Sequence, residues 1–191
     1  MNTKKEKTRE MILDLSYPLF AKDGFNKITM KDICEATGLS RGGLYSHFPG
    51  TKEIFEAILE KLNQKDEMNF DREIADGIPA QEILNTALNL MEDEMMHSED
   101  SLSLAMYEYS GSVEKGLMSD FCEIGEKKWT KLIEYGIERN EFKEVNVKEI
   151  VDIILYSYQG VRMWSRIIPM ETATFKSITQ HIRNQLIESV K

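Results

Sequence analysis

The 191-residue chain is poor in the residues that break a helix or cross-link a fold. It has four prolines and eleven glycines, so long helices are permitted over most of its length. Its two cysteines, Cys34 and Cys122, lie far apart and supply neither a disulfide framework nor a zinc ligand set. We therefore expect a reduced, cytoplasmic protein with both cysteines as buried apolar residues, and a redox switch at Cys34 stays open as an alternative.

Long apolar runs are also missing. No segment approaches the roughly 20 consecutive apolar residues that a membrane-spanning helix requires, and the polar first ten residues predict no export signal. The signature patterns of serine hydrolases, zinc proteases, P-loop proteins and CxxC redox proteins do not occur. His97 and His181 have no ligand-like spacing. The sequence thus predicts a protein that is not an enzyme and has no metal site and no cofactor.

Charge is unevenly distributed along the chain. Residues 1–52 hold nine Lys or Arg and six Asp or Glu, a net charge of +3, whereas the remainder holds 15 and 27, a net charge of −12. A basic head on an acidic body would turn the head towards phosphate groups and repel the rest of the molecule. The overall charge of −9 therefore does not argue against nucleic acid.

Apolar residues recur at helical spacing throughout, and no segment shows the alternation typical of a strand. The fold class is therefore all-α, with about nine helices. Pro18 interrupts the first pattern, which predicts a kink there or an early end. The expected helices are Lys4–Phe20, Met30–Thr37, Arg41–Phe48, 51 to about 73, a fifth starting at Pro79, Ser101–Tyr109, Val113–Arg139, an eighth from Asn146 to about Ile168, and Thr172–Val190.

Two short helices near residues 29–48 have the elements of a helix-turn-helix. Thr29 with Asp32 forms a capping-box pattern, Gly38 ends the first helix, and Ser40 caps the second. In such a motif the second helix enters the major groove of DNA with its N-terminal residues towards the bases. Leu44 and Phe48 supply the inward face, so Tyr45 is predicted to point outward rather than into the core.

The longer string is more specific. Residues 28–33 (Ile-Thr-Met-Lys-Asp-Ile), 38–48 (Gly-Leu-Ser-Arg-Gly-Gly-Leu-Tyr-Ser-His-Phe) and Lys52-Glu53 closely resemble the DNA-binding domain of TetR-family transcriptional regulators, over roughly residues 8–60. The resemblance implies that Arg41, Gly43 and Ser46 lie nearest the base edges, on a helix that Ser40 and Gly42 begin. It implies phosphate contacts from Thr29, Tyr45, His47 and Lys52. His47 could equally serve local packing.

The chain departs from the family pattern at three points. Pro18 interrupts the first helix, and Cys34 stands where a small alanine-like residue is common. Gly42-Gly43 leaves few side chains to read bases, so Arg41 and Ser46 would supply most of the sequence specificity.

The rest of the chain carries a weaker signal for a small-molecule site. In the family the second domain holds a ligand cavity between helices, and methionines and aromatics cluster here. A mostly apolar cavity for a hydrophobic effector is expected, although plain core is the commoner role for any one of these residues. The candidates are Met91, Met95, Met106, Tyr107, Trp129, Tyr156, Gln159 and Trp164.

These patterns combine into one functional hypothesis. Residues 1–50 would form a helix-turn-helix domain and 51–191 a helical ligand-binding and dimerisation domain, with the fourth helix (about 51–73) as linker. The eighth and ninth predicted helices would pair in a homodimer, and a ligand would release this repressor from a palindromic operator. Two alternatives remain open: a TetR-like DNA-binding activator or chromosome-associated protein without a small-molecule effector, and an all-α interaction or enzyme-like protein whose head is vestigial.

Overall fold

A computed structural model describes residues 3–64, 70–112 and 115–187 of the chain. Within these ranges every regular element is a helix, which confirms the all-α fold class. The elements are α1 (Lys4–Asp23), α2 (Met30–Thr37), α3 (Arg41–Tyr45), α4 (Thr51–Gln64), α5 (Phe70–Ala75), α6 (Ala80–Met96), a 3₁₀ turn (Ser98–Asp100), α7 (Ser103–Ser110), α8 (Lys115–Glu138), α9 (Val147–Trp164) and α10 (Thr172–Leu186).

By their contacts the residues divide into two units. The first, which we call the head, comprises Met1–Asp66 and Glu99–Val113. Its core is aromatic: the Phe55 ring lies 5.0 Å from that of Phe20, 5.2 Å from that of Phe25 and 5.1 Å from that of Tyr109. These tilted and edge-on ring pairs add stabilisation beyond the area that they bury. The segment that carries α7 is thus part of the head core, although it lies more than 30 residues further along the chain.

The second unit, the body, comprises Glu67–Ser98 and Glu114–Lys191. Helix α6 contacts α8, α9 and α10, and α8 also contacts α9. Apolar positions of these helices form one continuous core, in which Leu84, Leu132 and Ile154 are fully buried. Helix α10 turns Phe175, Ile182 and Leu186 into this core, which follows from their helical spacing.

Two boundaries near the motif differ from expectation. Helix α1 does not end early at Pro18 but continues to Asp23, where the Gly24 N–H bonds the Phe20 carbonyl at 3.0 Å. A proline removes only one backbone donor, and burial of Phe20 beyond it opposes that cost. Helix α3 ends at Tyr45 rather than Phe48, because the N–H groups of residues 47 and 48 both turn to the Leu44 carbonyl.

The described residues form ten α-helices rather than about nine, because α5 (Phe70–Ala75) is a separate element. The sequence placed its first residues at the end of the fourth helix. Residues 65–69 between α4 and α5 lie outside the described residues, as do the expected starting residue Val113 and final residue Val190 of two other helices. Contacts group α4 and α7 with the head, whereas the sequence placed the domain boundary after residue 50; where the chain divides in solution stays a prediction.

The cysteines are less buried than the sequence suggested. Cys34 is half-buried and Cys122 is exposed on α8, so the prediction of a buried Cys122 was wrong. Apolar periodicity does not distinguish the edge of a helix face from its centre. Among the described helices, none is long and apolar enough to cross a membrane.

Candidate nucleic-acid interface

A reciprocal capping box positions the start of α2. The Thr29 N–H donates to the Asp32 carboxylate at 2.9 Å, and the Asp32 N–H donates back to the Thr29 hydroxyl oxygen at 3.4 Å. The Thr29 hydroxyl also donates to this carboxylate, at 2.6 Å. Hydrogen bonds from Thr29, first from its side chain and then from its backbone, lower the pKa of Asp32. The predicted cap is confirmed, and its hydroxyl proton is already engaged within the protein.

The turn between α2 and α3 is built as the sequence predicted. Gly38 adopts the left-handed conformation with φ of 68°, and its N–H bonds the Cys34 carbonyl at 2.9 Å. Ser40 then caps α3 by accepting the Gly43 N–H at 3.2 Å. The left-handed Gly38 ends α2 and the serine cap begins α3, and the first residues of α3, Arg41 and Gly42, are exposed.

Helix α3 separates an inward face from an outward one. Leu44 is fully buried and Phe48, just beyond the helix, is 1% exposed, whereas the Tyr45 side chain is 49% exposed. Arg41 and Ser46 are exposed beside it, and the Ser46 hydroxyl donates to the Gly43 carbonyl at 2.7 Å. The predicted outward orientation of Tyr45 is therefore what the structure shows. His47 is half-buried, and its Nδ1 atom is buried without a hydrogen-bond partner among the described residues.

The two glycines of α3 differ in their surroundings. A Cβ atom on Gly42 would meet nothing within 4 Å, so this face of the helix is open. A Cβ atom on Gly43 would lie 3.3 Å from the Ser40 hydroxyl oxygen that caps the helix. The backbone at Gly42 can consequently approach another molecule more closely than any residue with a side chain would allow.

Arg9 is a residue that sequence reasoning missed. From α1, its guanidinium lies 3.9 Å from the centre of the Phe48 ring, and its Nη1 atom donates to the His47 carbonyl at 3.0 Å. The contact combines a cation–π interaction with a hydrogen bond to a backbone carbonyl. It joins the start of α1 to the chain directly after α3. No local pattern could have indicated it, because the partners are about 40 residues apart.

A second polar contact reaches the start of α4. The Lys52 ammonium lies 3.8 Å from Oε1 of Glu56, one helical turn on. The same Oε1 atom accepts a short hydrogen bond from the hydroxyl of Tyr109, which is fully buried in α7. The spacing of Lys52 and Glu56 would have suggested their pairing. Tyr109 carries no such signal, being 53 residues away from Glu56.

The eight candidate ligand residues differ in burial and in the unit to which they belong. Met91, Met95 and Trp129 belong to the buried core of the body. Tyr107, Tyr156, Gln159 and Trp164 are exposed, and Met106 is half-buried. Met106 and Tyr107 lie in the head, and the other six in the body.

Two depressions in the body are lined by other residues. A polar groove of about 380 Å³ lies along α8, between Glu123, Lys127 and Glu134 among others. A second, of about 130 Å³, has Phe70, Ile83 and Ala87 in its wall, with Glu73 and Glu82 beside them. Among the described residues, no three His, Cys, Asp or Glu side chains are placed to hold a metal ion.

The capped helix pair with an exposed second helix, in a protein whose described elements are all helices, is a helix-turn-helix. Residues 12–58 match the domain described as "Bacterial regulatory proteins, tetR family". Over these residues the chain has the DNA-binding domain of TetR-family transcriptional regulators, and it is similar to proteins of that family. The resemblance read from the sequence is thereby confirmed.

Curated relatives of the chain are named as DNA-associated proteins. The HTH-type transcriptional regulator YfiR of Bacillus subtilis, itself described as uncharacterized, is 25% identical over 146 residues, 74% of this chain and 71% of that protein. The HTH-type transcriptional regulator UidR of Escherichia coli is 33% identical over 78 residues, 41% of this chain and 39% of UidR. The nucleoid occlusion factor SlmA of Actinobacillus pleuropneumoniae is 33% identical over 60 residues, 31% and 30% of the two chains. These last two matches span well under half of either relative.

Solved structures agree over nearly the whole chain. A TetR-family regulator from Agrobacterium tumefaciens superposes with a TM-score of 0.81 at 15% identity, covering 96% of this chain and 100% of that one. A second, from Cytophaga hutchinsonii, has a TM-score of 0.77 at 17% identity and covers 99% of both chains. At such identities the likeness establishes the fold, which confirms the expected helix-turn-helix domain followed by a helical domain.

Proposed function

We propose that the protein is a homodimeric repressor that binds a palindromic operator and is released by a small-molecule effector. The observation that carries the DNA-binding part is the exposed face of α3, where Arg41, Tyr45 and Ser46 surround the open backbone of Gly42. An arginine can bond guanine through two donors, and a serine can donate to or accept from any base. Such a face fits the edge of a major groove.

Phosphate contacts flank this reading face. We assign them to Tyr45, His47 and Lys52, and to Thr29 once one of its two donors leaves Asp32, because both its N–H and its hydroxyl donate to that carboxylate. Tyr45 and Lys52 are exposed, so they need no rearrangement to meet a phosphate. Gly43, whose N–H donates to the Ser40 hydroxyl oxygen, would lie near the base edges, and Ser40 would act through its own backbone N–H at the start of α3.

The dimer would form mainly through α9. Its outward face leaves Ile153 43%, Tyr156 75% and Trp164 56% exposed in one protomer. Apolar side chains exposed in a row along one helix are typical of a protein interface. Helix α10, which the sequence coupled with α9, already buries its apolar face in its own protomer and would add its polar outer face. The dimer would place two α3 helices in successive major grooves, about 34 Å apart.

Effector release would be a shift between conformations of the dimer. A ligand can release DNA only through its different affinities for the bound and released conformations. The proposed effector is hydrophobic and acts in the body, with the chain through α4 linking it to the head. An effector that binds tightly yet leaves operator affinity unchanged would exclude this role. The protein would act in the cytoplasm, where its DNA is.

A second candidate is a DNA-binding protein without an effector, such as an activator or chromosome-associated protein. It is supported by the burial of Met91, Met95 and Trp129 in plain core, which leaves the expected cavity filled there. The name of the relative SlmA points in the same direction. Operator affinity that stays constant across a broad panel of hydrophobic compounds would favour this candidate over the repressor.

The test is a genome-wide selection of DNA fragments by the purified protein at physiological salt, in parallel with Tyr45→Ala. We expect one or a few palindromic sites to be enriched by the wild type and lost in the variant. Enrichment that is unchanged in Tyr45→Ala and in Arg41→Ala would mean that α3 does not read the DNA. Enrichment without sequence preference would contradict the repressor but not the chromosome-associated protein.

A further inference from the structure

At the start of α4, two donor groups approach the same carboxylate oxygen of Glu56. Both the Tyr109 hydroxyl and the Lys52 ammonium approach Oε1 of Glu56, but only the hydroxyl is within hydrogen-bond distance. The ammonium lies at 3.8 Å, so its interaction with the carboxylate is electrostatic without a hydrogen bond. The Tyr109 hydroxyl thus fixes the direction of the Glu56 carboxylate, and with the carboxylate held there the Lys52 ammonium stays beyond hydrogen-bond distance of Oε1.

The position of Tyr109 is rigidly determined. Its ring makes edge contacts with Phe25 and Phe55 at 5.0 and 5.1 Å, and its side chain is fully buried. The neighbouring Glu108 accepts the Asn26 N–H at 2.8 Å, which holds α7 to the loop after α1. Burial and the carboxylate partner raise the pKa of Tyr109, so its hydroxyl remains a hydrogen-bond donor at neutral pH.

Lys52 is the group that gains from this arrangement. Its side chain is about half exposed at the beginning of α4, where it is one of the proposed phosphate contacts. An ammonium hydrogen-bonded to a carboxylate within its own helix must give up that bond before it can neutralise a phosphate. Because Tyr109 has the nearer position on Oε1, the ammonium keeps its donors for another acceptor.

We propose that Tyr109 is a positioning residue for DNA binding: by holding the Glu56 carboxylate, it keeps Lys52 available for a backbone phosphate. This inference rests on the proposed phosphate contact of Lys52. It gives α7, which is distant from the helix-turn-helix in sequence, a direct influence on operator affinity. The influence is independent of DNA sequence, because a phosphate carries no base information.

The test is a double-mutant cycle of Tyr109→Phe and Glu56→Gln, read by fluorescence anisotropy on the selected operator over a range of salt concentrations. In Tyr109→Phe the carboxylate is free to bond Lys52, so we expect affinity to fall roughly two- to fivefold, the size of an exposed ion pair. The slope of log K against log salt should fall in magnitude by up to about one, the value for one phosphate contact. In the Glu56→Gln background Tyr109→Phe should change neither quantity.

Three outcomes overturn the proposal: no effect of Tyr109→Phe, an equal effect in both backgrounds, or a weaker affinity with an unchanged slope. The matched control is Tyr17→Phe, which removes a hydroxyl that bonds the Asp100 carbonyl in the same unit and should leave the slope unchanged. The variant Lys52→Met distinguishes the phosphate contact of Lys52 from the positioning role of Tyr109. If Lys52→Met leaves the slope intact, the phosphate contact itself is wrong; if it lowers the slope and Tyr109→Phe does not, only the positioning role fails.

Discussion

Two glycines of the motif allow a matched test of how the turn and the recognition helix are built. A Cβ atom added at either Gly38 or Gly42 would meet no atom within 4 Å, so neither alanine variant clashes with a neighbour. The positions differ in backbone conformation: Gly38 has a φ of 68°, whereas Gly42 lies within α3. A comparison of Gly38→Ala with Gly42→Ala therefore measures the effect of backbone conformation, because neither added methyl group clashes with a neighbour.

The expected changes in the free energy of unfolding have opposite signs. Gly42→Ala should stabilise the protein by about 0.5–1 kcal/mol, because alanine favours a helix and restricts the unfolded chain. Gly38→Ala should destabilise it by about 1–2 kcal/mol, the cost of a Cβ atom in the left-handed region. Urea denaturation followed by circular dichroism measures both, and the difference between the variants is then about 1.5–3 kcal/mol.

Operator binding completes the test for Gly42. If the α3 backbone approaches the groove closely, the added methyl group should weaken binding about tenfold, or ~1.4 kcal/mol, in a protein that has become more stable. Loss of affinity therefore could not come from unfolding. Stability changes of the same sign in the two variants would refute the conformational reasoning. Unchanged operator affinity in Gly42→Ala would refute the close approach.

Three further predictions concern other contacts. Arg9→Met should weaken operator binding severalfold while leaving the fold intact, because it removes the hydrogen bond to the His47 carbonyl and the charge over Phe48; equal affinity in anisotropy titrations would contradict the role of Arg9. The pKa of Asp32 is lowered on folding, so the stability that its ionised form contributes should be present above its ordinary pKa of 3.8 and lost as the pH falls below it. Melting temperatures of the wild type and Asp32→Asn should accordingly converge at acid pH, and a constant gap would refute this. Tyr156→Glu should yield folded monomers in light scattering if α9 forms the dimer, whereas an intact dimer would exclude that face.

The DNA-binding motif could be predicted because its determinants are local. The capping box, the left-handed glycine and the serine cap each join residues three or four positions apart, namely Thr29 with Asp32, Cys34 with Gly38, and Ser40 with Gly43. Hydrogen bonds over that distance depend on residue type and backbone conformation, so the amino-acid order is sufficient to indicate them. The outward direction of Tyr45 followed from helical spacing for the same reason.

The sequence predicted that the body is helical, but it did not predict which of its large side chains are buried and which are exposed. Helical spacing assigns Met91 and Tyr156 to particular faces of their helices. Which of those faces is buried depends on the neighbouring helices that cover it. The structure buries Met91 and leaves Tyr156 75% exposed, although both are large and apolar in the sequence. Burial is decided by the packing of α6, α8, α9 and α10 together, and no single helix carries that information.

By itself, the sequence determined the helical fold class, the caps of the motif and the outward face of α3, because each depends on residues within one or two turns. The tertiary structure decided that α1 continues through Pro18, that Arg9 lies over Phe48 and that Tyr109 holds Glu56. Each of these depends on residues far apart along the chain, or on burial that only the assembled core provides. Contacts of that kind arise from the packing of complete elements, and they leave no periodic trace in the amino-acid order.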